Sequence, residues 1–186
     1  GASRPRTPAW NASASDKHAI VRRQGFLKAP VADYVDRTYR RRLECLLSVD
    51  EAMNATLAAV AARGEADATY TIFTSDHGWH LGEFGLNYDK RQLYEFDTRV
   101  PFVLAGPGVR EGVVLAHGGG FVDFLPTLYD MIHGSPPPAG AYDGRSLLPA
   151  ARGDADRDGP WRDDLLVEYW GEGDDANTRF RTGLLV

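Results

Sequence analysis

Two short apolar runs constrain the fold of this chain more than any other feature. Thr69-Tyr70-Thr71-Ile72-Phe73-Thr74 is β-branched and aromatic, too short for a helix, and stops at Ser75-Asp76-His77-Gly78. Val100-Pro101-Phe102-Val103-Leu104-Ala105 is a second such run and breaks at Gly106-Pro107-Gly108. Both read as buried strands bounded by turn residues. A glycine at 78 lets the first strand turn away from its sheet. Ligands of open α/β sheets bind beyond the carboxyl ends of strands, which is where Asp76 and His77 fall. Lys90, Arg91 and Arg99 lie between the runs, so cations follow the Asp-His pair closely. That order of charges suggests an anionic substrate held by a metal ion and a lysine.

The remaining chain supplies helices. Tyr39, Leu43, Leu46, Met53, Leu57 and Val60 step by four and three, with Asp50 on the same stripe. One long helix is expected from Val31 to about Arg63, ended by Gly64; a break at Ser48 is the alternative, since Ser48-Val49-Asp50-Glu51 has capping-box form. Asp50 is then a paired carboxylate, Cys45 a small packing residue, and Arg40, Arg41 and Arg42 a solvent face. Residues 1 to 30, broken by Pro5, Pro8 and Pro30, read as loop. Phe121 to Ile132 reads as a helix with Asp123 as N-cap and Pro126 in its first turn. The preceding Ala116-His117-Gly118-Gly119-Gly120 lacks the Gly-Lys-Ser/Thr of a phosphate loop. Residues 134 to 163, rich in Pro, Gly and Asp, read as an extended surface segment. Leu165 to Tyr169 and Thr182 to Val186 read as further strands. The order of helix and strand indicates an α/β domain.

With 186 residues, 43% of them hydrophobic, the chain has enough material for one core. The net charge of -5 is uneven: residues 1 to 63 carry 11 Lys/Arg against 6 Asp/Glu, and residues 64 to 186 carry 10 against 20. The acidic second part suits a cation site and speaks against nucleic acid as a partner. No apolar run approaches the roughly 20 residues of a membrane span. One cysteine excludes an internal disulfide framework. Asn11-Ala12-Ser13 is a glycosylation sequon; the Asn54 sequon falls within the long helix, a poor place for a glycan.

Taken together, Ser75-Asp76-His77-Gly78-Trp79-His80-Leu81-Gly82-Glu83, Asp89-Lys90-Arg91-Gln92-Leu93-Tyr94-Glu95, Arg99-Val100-Pro101 and Gly106-Pro107-Gly108 resemble the sulfatase family of the alkaline-phosphatase-like superfamily. The similarity continues in Asp123-Phe124-Leu125-Pro126-Thr127-Leu128 and Asp143-Gly144-Arg145-Ser146-Leu147-Leu148-Pro149. Asp16-Lys17-His18, Leu46 to Asp50, Trp161 to Asp164 and Val167 to Gly173 look like the glucosamine-6-sulfatase and arylsulfatase branch. The resemblance implies a sandwich with a largely parallel sheet flanked by helices, incomplete in this chain. It implies that Asp76 and His77 are metal ligands and that Lys90 binds substrate; His80 either touches the substrate or assists proton transfer, or is structural. The metal implied is Ca2+ or Mg2+; Ca2+ prefers oxygen ligands, so an imidazole is not the ligand its chemistry selects. The implied substrate is a sulfated amino sugar or glycosaminoglycan, in the secretory pathway: lysosomal, extracellular or periplasmic.

One part of the family pattern is missing. Sulfatases take their nucleophile, formylglycine, from Cys/Ser-x-Pro-x-Arg through a formylglycine-generating enzyme. Cys45 is followed by Leu46-Leu47-Ser48-Val49 and does not fit. Residues 1–186 therefore read as the second half of a catalytic domain, without the nucleophile-bearing half, and as inactive alone. Phosphodiesterases and phosphoethanolamine transferases of the same superfamily share Ser-Asp-His-Gly, and a non-catalytic sulfoglycan-binding protein is a third reading. The sugar, the sulfate position and the oligomeric state stay open.

Overall fold

A computed structural model describes residues 5–116, 118–154 and 159–169 and the strand Thr182–Leu185. His117, residues 170–173 and Val186, on which sequence expectations rested, lie outside the described residues.

The apolar stripe builds a continuous helix, α2 (Ala29–Ala62), after a short α1 (Ala19–Gln24). Gly64, at φ 70°, ends α2 where a left-handed residue is needed, and Ser48 does not interrupt it. Val35 is the buried residue of this helix, whereas Leu46, Leu47 and Leu57 remain largely exposed. Cys45 and Asp50 are exposed as well, contrary to the packing and pairing expected of them, because the apolar face they border is uncovered. By length and apolar content α2 could cross a membrane, a test that core helices pass equally; the stripe thus exceeds what a search for unbroken apolar runs finds. The helix α1 corrects the reading of residues 1 to 30 as loop. Six residues are fewer than two turns, so periodicity cannot reveal it.

The chain forms two compact units. The first comprises Gly1–Ala59, Ser75–Val100 and Glu168–Thr182. Its buried residues include Val21, Val35, Leu86, His80 and Asp97. The N-terminal segment is tied to the Ser75–Val100 segment by paired backbone bonds, Asn11 N–H to Gly82 O at 2.7 Å and Phe84 N–H to Ala9 O at 2.8 Å. The short helix α3 (Glu95–Thr98) closes that segment.

The second unit comprises Val60–Thr74, Pro101–Val167 and Gly183–Val186. Here β1 (Thr71–Thr74) pairs with β2 (Phe102–Ala105), Thr71 facing Ala105 and Thr74 facing Phe102. The pair is antiparallel, unlike the largely parallel sheet expected of the whole fold. Parallel neighbours need a long crossover helix; the connection here holds only α3 and re-enters the sheet at the end it left. The helix α4 (Phe124–His133) ends at Gly134, φ 68°. Asp123 stands at the N-cap position of α4, as expected, but its side chain makes no cap bond there. Its fully buried carboxylate accepts the Gly120 and Arg145 amides, each at 2.9 Å, and pairs through both oxygens with Arg162. The segment from 134 to 163 is not simply a surface strand of chain: α5 (Leu148–Arg152) has Leu148 through Ala151 buried and packs on α4. Thr127 joins the two, donating to Asp123 O at 2.6 Å and accepting from Leu147 N–H at 2.9 Å. A second two-stranded sheet pairs β3 (Leu166–Tyr169) with β4 (Thr182–Leu185).

Candidate functional site

Ser75 follows directly on the last residue of β1, so Asp76 and His77 stand in the loop at the carboxyl end of that strand, as the sequence order implies. Asp76 is the exposed member, with 80% of its side chain open, and His77 is at 34%. Their facing atoms, Asp76 Oδ2 and His77 Nε2, are 2.9 Å apart. Two ligands at right angles on one divalent cation, each about 2.0–2.4 Å from it, stand about 3 Å apart. The other ring nitrogen, His77 Nδ1, lies 2.8 Å from Gly78 O. A carbonyl only accepts, so Nδ1 carries a proton, and Nε2 is the nitrogen that a cation would take. A backbone carbonyl on the second nitrogen is the usual way a metal-binding histidine is oriented. The residues present therefore fit a cation as two of its ligands. Among the described residues no three His, Cys, Asp or Glu gather in one cluster, so these two alone do not complete a site.

The Asp76 carboxyl is held below its ordinary value. What desolvation it suffers pushes it up, but the His77 amide, the charge of the His77 ring and the Ser75 hydroxyl together outweigh that.

Lys90 is carried by the loop that returns toward α3. It is half-exposed, with Nζ 3.6 Å from Asp89 Oδ1, while Arg91 Nε lies 3.2 Å from Asp89 Oδ2. Both neighbours of Lys90 have left-handed backbones, Asp89 at φ 67° and Arg91 at φ 104°. Non-glycine residues in such regions cost on the order of 1–3 kcal/mol each and persist only where surrounding bonds over-determine them.

His80 is placed differently from the other three. It is 3% exposed, with Nε2 2.7 Å from Asp97 Oδ2 and Nδ1 3.0 Å from Tyr88 O. Both ring nitrogens are engaged within the protein, and one proton is shared between Nε2 and the carboxylate. Asp97, 4% exposed, was not singled out by its sequence context. Its Oδ2 also accepts the Gln92 amide at 2.7 Å. From its sequence context Gly78 is only a turn residue. Its amide donates to Asp97 O at 2.7 Å, and the Trp79 amide to Phe96 O at 3.1 Å. Phe84, Tyr94 and Phe96 pack within the loop, Tyr94 and Phe96 stacked at 5.1 Å between ring centroids.

This geometry can be set beside known proteins. The Sulfatase family model matches residues 3–135. Human N-acetylglucosamine-6-sulfatase is 38% identical over 91% of the chain, which covers 30% of the human protein. The Drosophila melanogaster extracellular sulfatase SULF-1 homolog is 38% identical over 91% of the chain, which covers 15% of it. Among solved structures, a protein in complex with its substrate D-glucosamine-2-N,6-O-disulfate superposes with a TM-score of 0.73 at 27% identity, over 93% of this chain and 35% of that one. The chain thus spans less than a third of the curated relatives it matches, and represents the alkaline-phosphatase-like α/β fold in part. On the family model and these identities, the chain belongs to the sulfatase family.

Proposed function

We propose that residues 1–186 form the second part of the catalytic domain of a sulfuric ester hydrolase that removes sulfate from sulfated amino sugars or glycosaminoglycans. The observation that carries this is the Asp76–His77 pair, its facing atoms 2.9 Å apart and His77 Nδ1 secured on Gly78 O. The resemblance to an N-acetylglucosamine-6-sulfatase supports the substrate class.

In this reading Asp76 supplies a carboxylate oxygen and His77 its Nε2 to a divalent cation, Ca2+ before Mg2+, completed by ligands beyond these residues. When bound, the cation stabilises negative charge developing on the sulfate oxygens. Gly78 O keeps the His77 ring in the tautomer that leaves Nε2 open. Lys90 donates from its ammonium to the sulfate or to the departing oxygen, a fixed positive charge aimed where charge develops. The nucleophile is formylglycine, made by a formylglycine-generating enzyme from a residue outside this chain; Cys45 is in the middle of α2 and lacks the required context. A secretory-pathway protein is the consistent setting, and one relative carries the name of an extracellular sulfatase.

The test is to express the full-length protein containing these residues with a formylglycine-generating enzyme and to assay an aryl sulfate and a 6-sulfated glucosamine. Sulfate release that falls about 100-fold or more in Asp76→Ala supports the reading, on the scale of losing a preorganised charge contact. A converted but inactive full-length protein would point to the sulfoglycan-binding alternative, and full activity in Asp76→Ala would remove the cation from Asp76.

A further inference from the structure

We infer that the buried His80–Asp97 pair is a clamp that positions Lys90. The inference rests on the substrate-binding reading of Lys90 and assigns a purpose to two buried residues. His80 reaches the leading side of the Lys90 loop twice: its backbone N–H donates to Asp89 O at 2.8 Å and its Nδ1–H to Tyr88 O at 3.0 Å. Asp97 reaches the trailing side, accepting the Gln92 amide at 2.7 Å. The two halves are joined to each other by Nε2–Oδ2 at 2.7 Å, with both side chains about 4% exposed. Asp97 is in turn held on the loop's near end, where its carbonyl accepts the Gly78 amide at 2.7 Å.

The residues so gripped, Tyr88, Asp89 and Gln92, flank Lys90 together with the left-handed Arg91. A loop with φ of 67° and 104° at non-glycine residues relaxes unless bonds from outside it fix both sides. The His80–Asp97 pair provides those bonds in a buried place where water cannot substitute for either partner. The Phe96 ring, 5.5 Å from the His80 ring and edge-on to it, holds the imidazole from the side. His80 is accordingly a positioning residue acting through Lys90.

The experiment uses the full-length protein and four variants, His80→Gln, Asp97→Asn, Lys90→Ala and the double variant His80→Gln/Lys90→Ala. Turnover of a 6-sulfated glucosamine is measured together with amide exchange in residues 88–92, with α4 as the control for global folding. The expected result is a fall in kcat of about tenfold or more in His80→Gln and in Asp97→Asn, with faster exchange in residues 88–92 and unchanged exchange in α4. On the Lys90→Ala background, His80→Gln should have little further effect, because a clamp has nothing left to position. Independent, multiplying effects in the double variant would overturn the inference, as would exchange in residues 88–92 that matches the wild type. If His80→Gln does not fold, Asp97→Asn, nearly the same in shape, carries the comparison. Undiminished turnover in Lys90→Ala would instead sink the assignment of Lys90, and the positioning role with it; the exchange data alone would still report whether the pair restrains the loop.

Discussion

A Cβ on Gly78 would lie 1.8 Å from Phe96 O and 2.7 Å from its carbonyl carbon, both backbone atoms that cannot swing aside. Gly78→Ala should therefore cost about 1–3 kcal/mol or more, the range for overpacking, and urea unfolding of the full-length protein should show it as a lowered midpoint. The same substitution should also release the amide bond to Asp97 O and so disturb the Lys90 loop. Asp76 offers a second residue-level expectation. Its pKa is lowered from 3.8; a depressed carboxylate contributes stability that is present above the unfolded value and lost as pH falls through the folded one. Asp76 should thus remain ionised at every pH above about 3.8, and the site should not lose its carboxylate charge in mildly acidic conditions. An NMR titration should give a midpoint under 3.8 that moves back toward it in His77→Ala. A wild-type midpoint at or above 3.8 would contradict the role of His77 in holding that charge. At this scale the site was half legible. The loop position of Asp76 and His77 is announced by the β-branched run they follow, and Lys90 is proposed from its family position. Asp97 does not, because its partner His80 is distant in sequence and nothing local marks a carboxylate that will be buried.

Elements were legible where the pattern is long. The α2 stripe and Gly64 define that helix to within two residues, and β1 and β2 emerge from apolar runs with glycine behind them. Short elements escaped. Helix α5 is hidden in a stretch whose Pro, Gly and Asp content reads as surface, although Pro149 suits a helix start. The pairing direction of β1 and β2 escaped too, since it depends on how the intervening segment folds. Asp123 shows why a local rule misleads. It does occupy the N-cap position of α4, yet its carboxylate serves instead as the shared acceptor of the Gly120 turn, the Arg145 loop and Arg162. Asp123→Ala should leave the Arg162 guanidinium without its buried partner and two amides without an acceptor. Removing one side of a buried pair costs about 3–5 kcal/mol, so a loss toward that range is expected in denaturant titration. Asp123→Asn, which keeps one acceptor oxygen, should lose less. Equal stability of Asp123→Ala and wild type would show that this hub does not organise the second unit.

For the whole molecule, the proposed function leads to the expectation that residues 1–186 alone release no sulfate from an ester that the full-length protein should cleave. Catalytic groups act as a unit, and without the nucleophile most of the rate is gone even when the others are in place. On the proposed reading, two cation ligands without the rest should also bind Ca2+ weakly, which calorimetry on the short chain can check. Sulfate release by the short chain that disappears on Asp76→Ala would mean a nucleophile lies among these residues after all. The exposed leucines of α2 should make the short chain bind an apolar dye more strongly than the full-length protein does. The loop from Ser75 to Val100 has a bearing on how such proteins diversify. Gly78 and Trp79 hand their amides to Asp97 and Phe96, so the mouth of the loop is sewn shut by its own residues. Insertions or replacements inside that seam need not shift the register of β1 on β2. Descent can then alter the enclosed stretch while the seam that closes it is inherited unchanged.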